Sequence, residues 1–249
     1  MANSVAFAGS FRVSPVRIFL DEKSETAVLK ITNQGEEKVT VQLDAKTWRQ
    51  DENGKDVYEA EGGGDIVFFP KIAEIEKGRE RIVRIGFRGK RQRAEGSYRL
   101  FLQELPISKP GETALKLAIN MSIPVFIGSE KAVGKWDVEP GGLSEESVRA
   151  RVRNTGTRHI VVSRLKAAGF DETGAEVFSK DAAGWYTLPG AIRTFAVSVP
   201  QEDCLKLKSI RVSVETEDRE KKDFTMDVIN EMCTRKPAAG VKKNKERSE

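Results

Sequence analysis

The stretch from Ala114 to Ile127 constrains this chain more than any other. Leu115, Leu117, Ile119, Met121, Ile123 and Val125 fall on every second position, with Lys116, Ala118, Asn120, Ser122 and Pro124 between them. A period of two held for eleven residues describes a strand with one apolar face and one wet face. It outruns the usual strand of about five or six residues. Pro124 has no amide hydrogen, so the far end of the strand is not expected to lie between two partners. Two readings stand: an ordinary half-buried strand in its own sheet, or an edge strand whose apolar row is given to another chain.

The remaining sequence is equally poor in helix signals. Phe11 to Leu20 is apolar on both alternating phases, as for a strand buried on two sides. Further strands are expected at Thr26 to Thr32, Val39 to Trp48, Ile66 to Phe69, Ile82 to Phe87 and Tyr98 to Leu105. Turn residues separate them: Asn33-Gln34-Gly35, Asn53-Gly54, Gly62-Gly63-Gly64, Lys77-Gly78 and Glu95-Gly96. A second series begins after Trp136, at Ser147 to Asn154, His159 to Phe170, Val177 to Ser179, Ile192 to Pro200, Leu207 to Glu215 and Phe224 to Ile229. Asn154-Thr155-Gly156 echoes the Asn33-Gln34-Gly35 stop. The expectation is an all-β chain of two immunoglobulin-like antiparallel sandwiches. They would occupy 11–127 and 135–235, joined by a linker at 128–134 and followed by a basic disordered tail at 236–249.

Charge excludes little until it is located. The net +4 is carried entirely by the end of the chain, where six Lys or Arg and two Glu follow from Arg235 onward. The body is neutral by count, so the overall balance says nothing of a nucleic-acid partner. No apolar run approaches the ~18 residues that cross a bilayer, so no membrane insertion is expected. Ser4-Val5-Ala6-Phe7-Ala8 has the small-x-small form of a secretory cleavage site, but no basic and long apolar segment precedes it. Residues 1–10 are read either as the remnant of a truncated signal peptide or as a chance pattern.

Residues 204 and 233 lie symmetrically about the turn expected between Leu207–Glu215 and Phe224–Ile229. Cys204 and Cys233 can therefore face each other across the open end of a hairpin. A bridge there would contribute ~3–4 kcal/mol through the entropy of the unfolded chain and would fit an oxidising compartment. The alternative is two buried thiols.

No enzyme emerges. His159 is the only histidine, and with two cysteines it gives poor support to a metal site. Neither glycine-rich phosphate loops nor a nucleophile elbow are present. No cofactor is implied. The basic run Lys77, Arg79, Arg81, Arg84, Arg88, Lys90, Arg91 and Arg93 contains only Phe87 for base stacking, and reads as a solvated hairpin rather than a nucleic-acid surface. Arg17, within Pro15-Val16-Arg17-Ile18-Phe19-Leu20, is more pointed. A guanidinium in an apolar strand needs an anion or a wet cleft. It serves either as an anchor for a carboxylate, through its two-pronged fork, or in a salt bridge of this chain.

In order along the chain, several segments resemble the periplasmic pilus-assembly chaperones of the chaperone–usher pathway, over roughly residues 11 to 235. They are Pro15-Val16-Arg17, Ile31-Thr32-Asn33-Gln34-Gly35, Trp48, Pro70, Glu76-Lys77-Gly78, Ile82-Val83-Arg84-Ile85, Glu95, Tyr98-Arg99-Leu100, Glu104-Leu105-Pro106 and Leu188-Pro189-Gly190. The resemblance implies two immunoglobulin-like domains set at an angle around a subunit-binding cleft. It implies a non-enzymatic periplasmic chaperone that completes a subunit's open sandwich with its own strand, the form of strand addition known as donor-strand complementation. Leu115, Leu117, Ile119 and Met121 would be the donor residues, Arg17 the anchor of the subunit's C-terminal carboxylate, and Arg84 and Glu95 an internal ion pair. Partners would be pilus or fimbrial subunits and an outer-membrane usher, with self-association through the donor strand in the free protein.

The sequence also departs from that family. Pro124 stands where a lysine usually assists the arginine, with Arg12 or Lys116 as substitutes to consider. Gly128-Ser129 stands where a basic residue is expected, and the aspartate-rich ending is absent from Asp227-Val228-Ile229-Asn230. These mark a divergent member. The rival reading is a two-domain immunoglobulin-like surface or adhesion protein whose Leu115, Leu117 and Ile119 pack in its own core.

Overall fold

The computed structural model describes residues 11–105, 118–129, 131–144 and 147–234, with the backbone alone at Asn230 and Thr234. The chain divides into two compact units whose main break follows Gly134. The first contains β1 (Phe11–Ser14), β2 (Ile18–Leu20), β3 (Thr26–Asn33), β4 (Val39–Gln50), β5 (Asp56–Glu59), β6 (Ile66–Phe69), β7 (Ile72–Ile75), β8 (Glu80–Phe87), β9 (Gly96–Leu105) and β10 (Asn120–Ile127). They form a four-stranded sheet, β1-β3-β8-β6, and a six-stranded sheet, β2-β10-β9-β4-β5 with β7 also on β4. Leu29, Ile31, Val83 and Ile85 of the first sheet meet Val41, Leu100, Leu102 and Val125 of the second in one apolar core. This is an immunoglobulin-like sandwich.

Phe11 to Leu20 is not one strand buried on two sides. It is two short strands that belong to opposite sheets, separated by a bend after the cis Ser14–Pro15 peptide. Phe11 and Val13 point inward from one sheet, Ile18 and Leu20 from the other. The inward phase switches from odd to even across the bend, which is why both phases look apolar in the sequence.

The long alternating stretch is described from Ala118 onward, so Leu115 and Leu117 lie outside the described residues. β10 pairs antiparallel with β9 along its length, from Asn120↔Gln103 to Ile127↔Gly96. It pairs in parallel with β2 only at Val125↔Ile18, Phe126↔Phe19 and Ile127↔Leu20. The far end of the strand therefore does lie between two partners, against the expectation from Pro124. The parallel ladder starts one residue beyond the proline, so the missing N–H does not interrupt it.

The second unit holds β11 (Trp136–Ser144), β12 (Ser147–Asn154), β13 (Ile160–Phe170), β14 (Glu176–Ala183), β15 (Tyr186–Thr187), β16 (Ile192–Ser198), α1 (Gln201–Cys204), β17 (Ser209–Thr216), β18 (Lys221–Asp227) and α2 (Asn230–Thr234). One sheet runs β11-β12-β16 and the other β14-β13-β17-β18, with β15 on β13. Trp136, Val152, Leu165, Ile210 and Val214 fill the space between them. The helices flank the β17–β18 hairpin and carry the two cysteines, joined with Sγ atoms 1.97 Å and Cα atoms 5.8 Å apart. Helices of one turn leave no hydrophobic period, so neither is legible in the sequence.

The echo between Asn33 and Asn154 has a physical basis. Both side chains are buried at strand ends. Asn33 Nδ2 donates to the carbonyls of Glu37 (2.8 Å) and Ile75 (2.9 Å), and Asn154 Nδ2 donates to Thr187 O at 2.8 Å. Each carboxamide satisfies backbone acceptors where the ladder stops.

Candidate functional site

Two features of the first sandwich carry chemistry: the open side of β10 and the outer face of its sheet. Because β2 meets β10 only from Val125, the part from Asn120 to Pro124 has a ladder partner on one side alone among the described residues. Ile119 and Met121 precede and enter this part, half-buried against the core, whereas Ile123 is fully within it. Ile119 is also held through its backbone: its carbonyl accepts from Glu104 N at 2.8 Å, and its N–H donates to Glu104 Oε2 at 3.3 Å. An apolar row therefore emerges from the core along an open edge, the arrangement that strand addition requires.

The outer face of the same sheet is built from the alternate residues. Pro124 lies opposite Arg99, and Arg99 lies opposite Lys46. Pro124, Arg99 and Lys46 thus form one row across three strands. The half-buried Arg17 lies in the bend that leads into β2, immediately before Ile18, which pairs with Val125. The next row contains Phe19, Phe126 and Trp48, with Phe126 5.6 Å from Phe19 and 5.9 Å from Trp48 between ring centroids. This aromatic layer buries Phe126, so the outer face of the strand is not wet at its far end as the alternation alone implied. The Arg99 guanidinium lies 3.9 Å from the Trp48 ring centroid, and Trp48 Nε1 donates to Asp56 Oδ1 at 3.0 Å. Lys46 sits 5.2 Å over the Phe101 ring.

From the sequence, Arg99 is one member of a motif with no role of its own. The signal that could have singled it out is its phase. Tyr98, Leu100 and Leu102 alternate into the core, which places Arg99 and Phe101 on the opposite face with Pro124 and Lys46.

The other expected residues fall as follows. Arg84 is exposed on the outer face of β8, between Val28 and Phe69 of the neighbouring strands. Glu95 is buried just before β9, which belongs to the opposing sheet. Within the basic run, Arg91 stands apart from its exposed neighbours. Its Nη2 donates to Asp21 O at 2.7 Å and its Nη1 reaches Leu20 O and Gly128 O, both at 3.4 Å. It ties together the ends of β2 and β10. His159 lies in a small aromatic group, its ring 5.7 Å from that of Tyr186. No group of three or more His, Cys, Asp or Glu side chains suited to a metal is found among the described residues. No helix among them is long and apolar enough to cross a membrane.

Residues 10–131 match the family of pili and flagellar-assembly chaperones, PapD N-terminal domain. The match spans the whole first sandwich, and this domain belongs to that family. Solved structures with the same fold include the CsuC–CsuE chaperone–tip adhesion subunit pre-assembly complex from the archaic chaperone–usher Csu pili of Acinetobacter baumannii. One chain of it is 18% identical, with a TM-score of 0.58 over 87% of this chain and 98% of that one. The YadV chaperone is 13% identical, with a TM-score of 0.56 over 88% and 100%. A chain of the Salmonella enterica SafA pilin–SafB chaperone complex is 14% identical, with a TM-score of 0.53 over 90% and 99%. At such identities the likeness is one of fold. No curated protein sequence matches the chain.

Proposed function

We propose that this chaperone acts in the periplasm, where it holds pilus or surface-fibre subunits by donor-strand complementation and hands them to an outer-membrane usher. The observation that carries the reading is the open side of β10, from which Ile119 and Met121 continue the row begun by Leu115 and Leu117. Backbone ladder bonds along that edge give sequence-tolerant affinity, and the alternating side chains set the register. Arg17 anchors the subunit's terminal carboxylate through its fork. The Cys204–Cys233 bridge supports an oxidising compartment. No catalytic step is part of this function. The free protein can also pair with a second copy through the same edge.

The contact of Ile119 and Met121 with their own core favours the rival, a two-domain surface or adhesion protein that keeps its strand. Affinity capture from the source cell's envelope, with Leu117→Asp in parallel, separates the two. Small sandwich-forming subunits retained by the wild type and lost with a variant whose circular dichroism is unchanged would support the chaperone. Capture that the variant does not alter, or a variant that cannot fold, would place Leu117 in the core and favour the rival.

A further inference from the structure

We propose that Pro124 is the register stop of the donated edge: it ends that edge at Ser122, so an incoming strand pairs with β10 no further than there; this rests on the strand-donation reading above. Two hydrogen bonds set which way the backbone of β10 points. Glu104 N donates to Ile119 O at 2.8 Å on the β9 side, and Gly128 N donates to Leu20 O at 2.7 Å on the β2 side. Between them β10 pairs with β9 without a shift in register, and backbone groups along a strand face alternate sides. The odd-numbered residues therefore face β9 and the even-numbered ones face the opposite side. There β2 pairs only from Val125, which leaves Asn120 and Ser122 each with an N–H and a carbonyl that have no partner among the described residues. Pro124 comes next on that side and has no N–H.

The missing donor limits both neighbours of this edge. Val16 and Arg17 form the bend before β2, and Val16 is 65% exposed. To run further back beside β10 in its parallel register, β2 would have to bond the Val16 carbonyl to an amide at position 124, and none is there. An incoming strand meets the same gap from the other end. Beyond Ser122 the next amide on this side is that of Phe126, which faces β2. Pro124 is buried, so a carbonyl brought opposite it would lose water and gain no donor. Alternation by itself does not fix how far a strand slides, because a slip of two residues returns every side chain to its own face. The proline removes that freedom. It sets the boundary between Met121, the last donated side chain, and Ile123, which is 3% exposed within its own core.

The test uses the full chain and a synthetic peptide of alternating Val and Thr, acetylated and amidated so that no terminal charge takes part. Hydrogen exchange read residue by residue by NMR, with and without peptide, reports the pairing, and isothermal titration gives the affinity. In the wild type the amides of Asn120 and Ser122 should exchange fast alone and slowly with peptide, while those of Met121 and Ile123 are slow in both. Pro124→Ala should supply one more donor. The amide at position 124 becomes protected only when peptide is bound, and affinity rises about fivefold, the worth of one ladder bond. Ser122→Pro leaves the bonds to β9 intact, so it should fold, weaken the peptide about fivefold and confine the new protection to Asn120. This variant remains informative if Pro124→Ala does not fold. An amide at position 124 that stays unprotected with peptide, or that is protected without it, would overturn the stop, as would unchanged affinity in Ser122→Pro, and strand donation would stand. Failure of the wild type to bind the peptide would remove the strand-donation reading and this inference with it.

Discussion

Phe19 of β2 stacks on Phe126 of β10, ring centroids 5.6 Å apart and planes 26° from parallel, at the one place where these strands run side by side. The contact covers the outside of the sheet while Ile18, Leu20, Val125 and Ile127 close the inside. Phe126 is fully buried and Phe19 is 55% exposed, so the pair should respond unequally to truncation. Phe126→Ala is expected to cost about 3–5 kcal/mol. Phe19→Ala should cost only ~0.5–1.5 kcal/mol, the worth of an aromatic pair. Urea unfolding followed by tryptophan fluorescence measures both.

The apolar row of β10 should split into a structural half and a donated half. Ile123 is 3% exposed within the core, whereas Ile119 is half-buried beside the open edge. Ile123→Asp should prevent folding of the first sandwich. Ile119→Asp should leave its circular dichroism unchanged and abolish subunit capture. A folded Ile123→Asp or a capture-competent Ile119→Asp would contradict this division.

The disulfide should matter to the second sandwich alone. It closes a sequence separation of 29 residues, for which the loop-entropy relation gives about 3–4 kcal/mol. Replacing both cysteines by alanine, rather than one, avoids a stray thiol. The expected result is a lower melting temperature for residues 135–234, read by hydrogen exchange, with protection in β3, β4 and β8 unchanged.

Asp21 should confer an acid-sensitive element of stability. Backbone N–H groups of Ser24 (2.6 Å) and Lys23 (2.8 Å) donate to its Oδ1 and hold the carboxyl below its ordinary value. Because the folded value is the lower one, the contribution is fully present above the unfolded value near pH ~4 and fades as the pH falls through the folded value. A carbon-detected titration of the carboxyl should show the depressed midpoint. Asp21→Asn should flatten the pH dependence of stability in that window, and a midpoint at the ordinary value would refute the claim.

Much of this fold is legible in the sequence because alternation and turn chemistry act locally. Ser147–Asn154 is the clearest case: its inward residues Val148, Ala150 and Val152 and its Asn154 stop are all plain in the chain. What is not legible depends on neighbours distant in sequence. Phe11 to Leu20 reads as one doubly buried strand because its inward phase changes when it passes from one sheet to the other. Pro124 looks like an edge residue because nothing in the sequence says that β2 arrives at Val125 and stops there. The burial of Arg99 depends on Trp48, 51 positions earlier by the numbering, whose ring meets it from the neighbouring strand. Arg17 and the alternating row can be picked out locally; the outer-face row of Pro124, Arg99 and Lys46 cannot.

In the function proposed above, the unequal pairing of β10 would bear on how a bound subunit leaves. From Val125 to Ile127 the strand is clamped on both sides and further secured by Arg91, while its other half is held along one side only among the described residues. An incoming replacement strand would then compete with β10 for the subunit only along the open half, starting at its outer end and advancing one pair of residues at a time. Release would proceed as peeling, with many small steps in place of one large barrier, while the clamped stretch from Val125 to Ile127 keeps the strand in its own sheet.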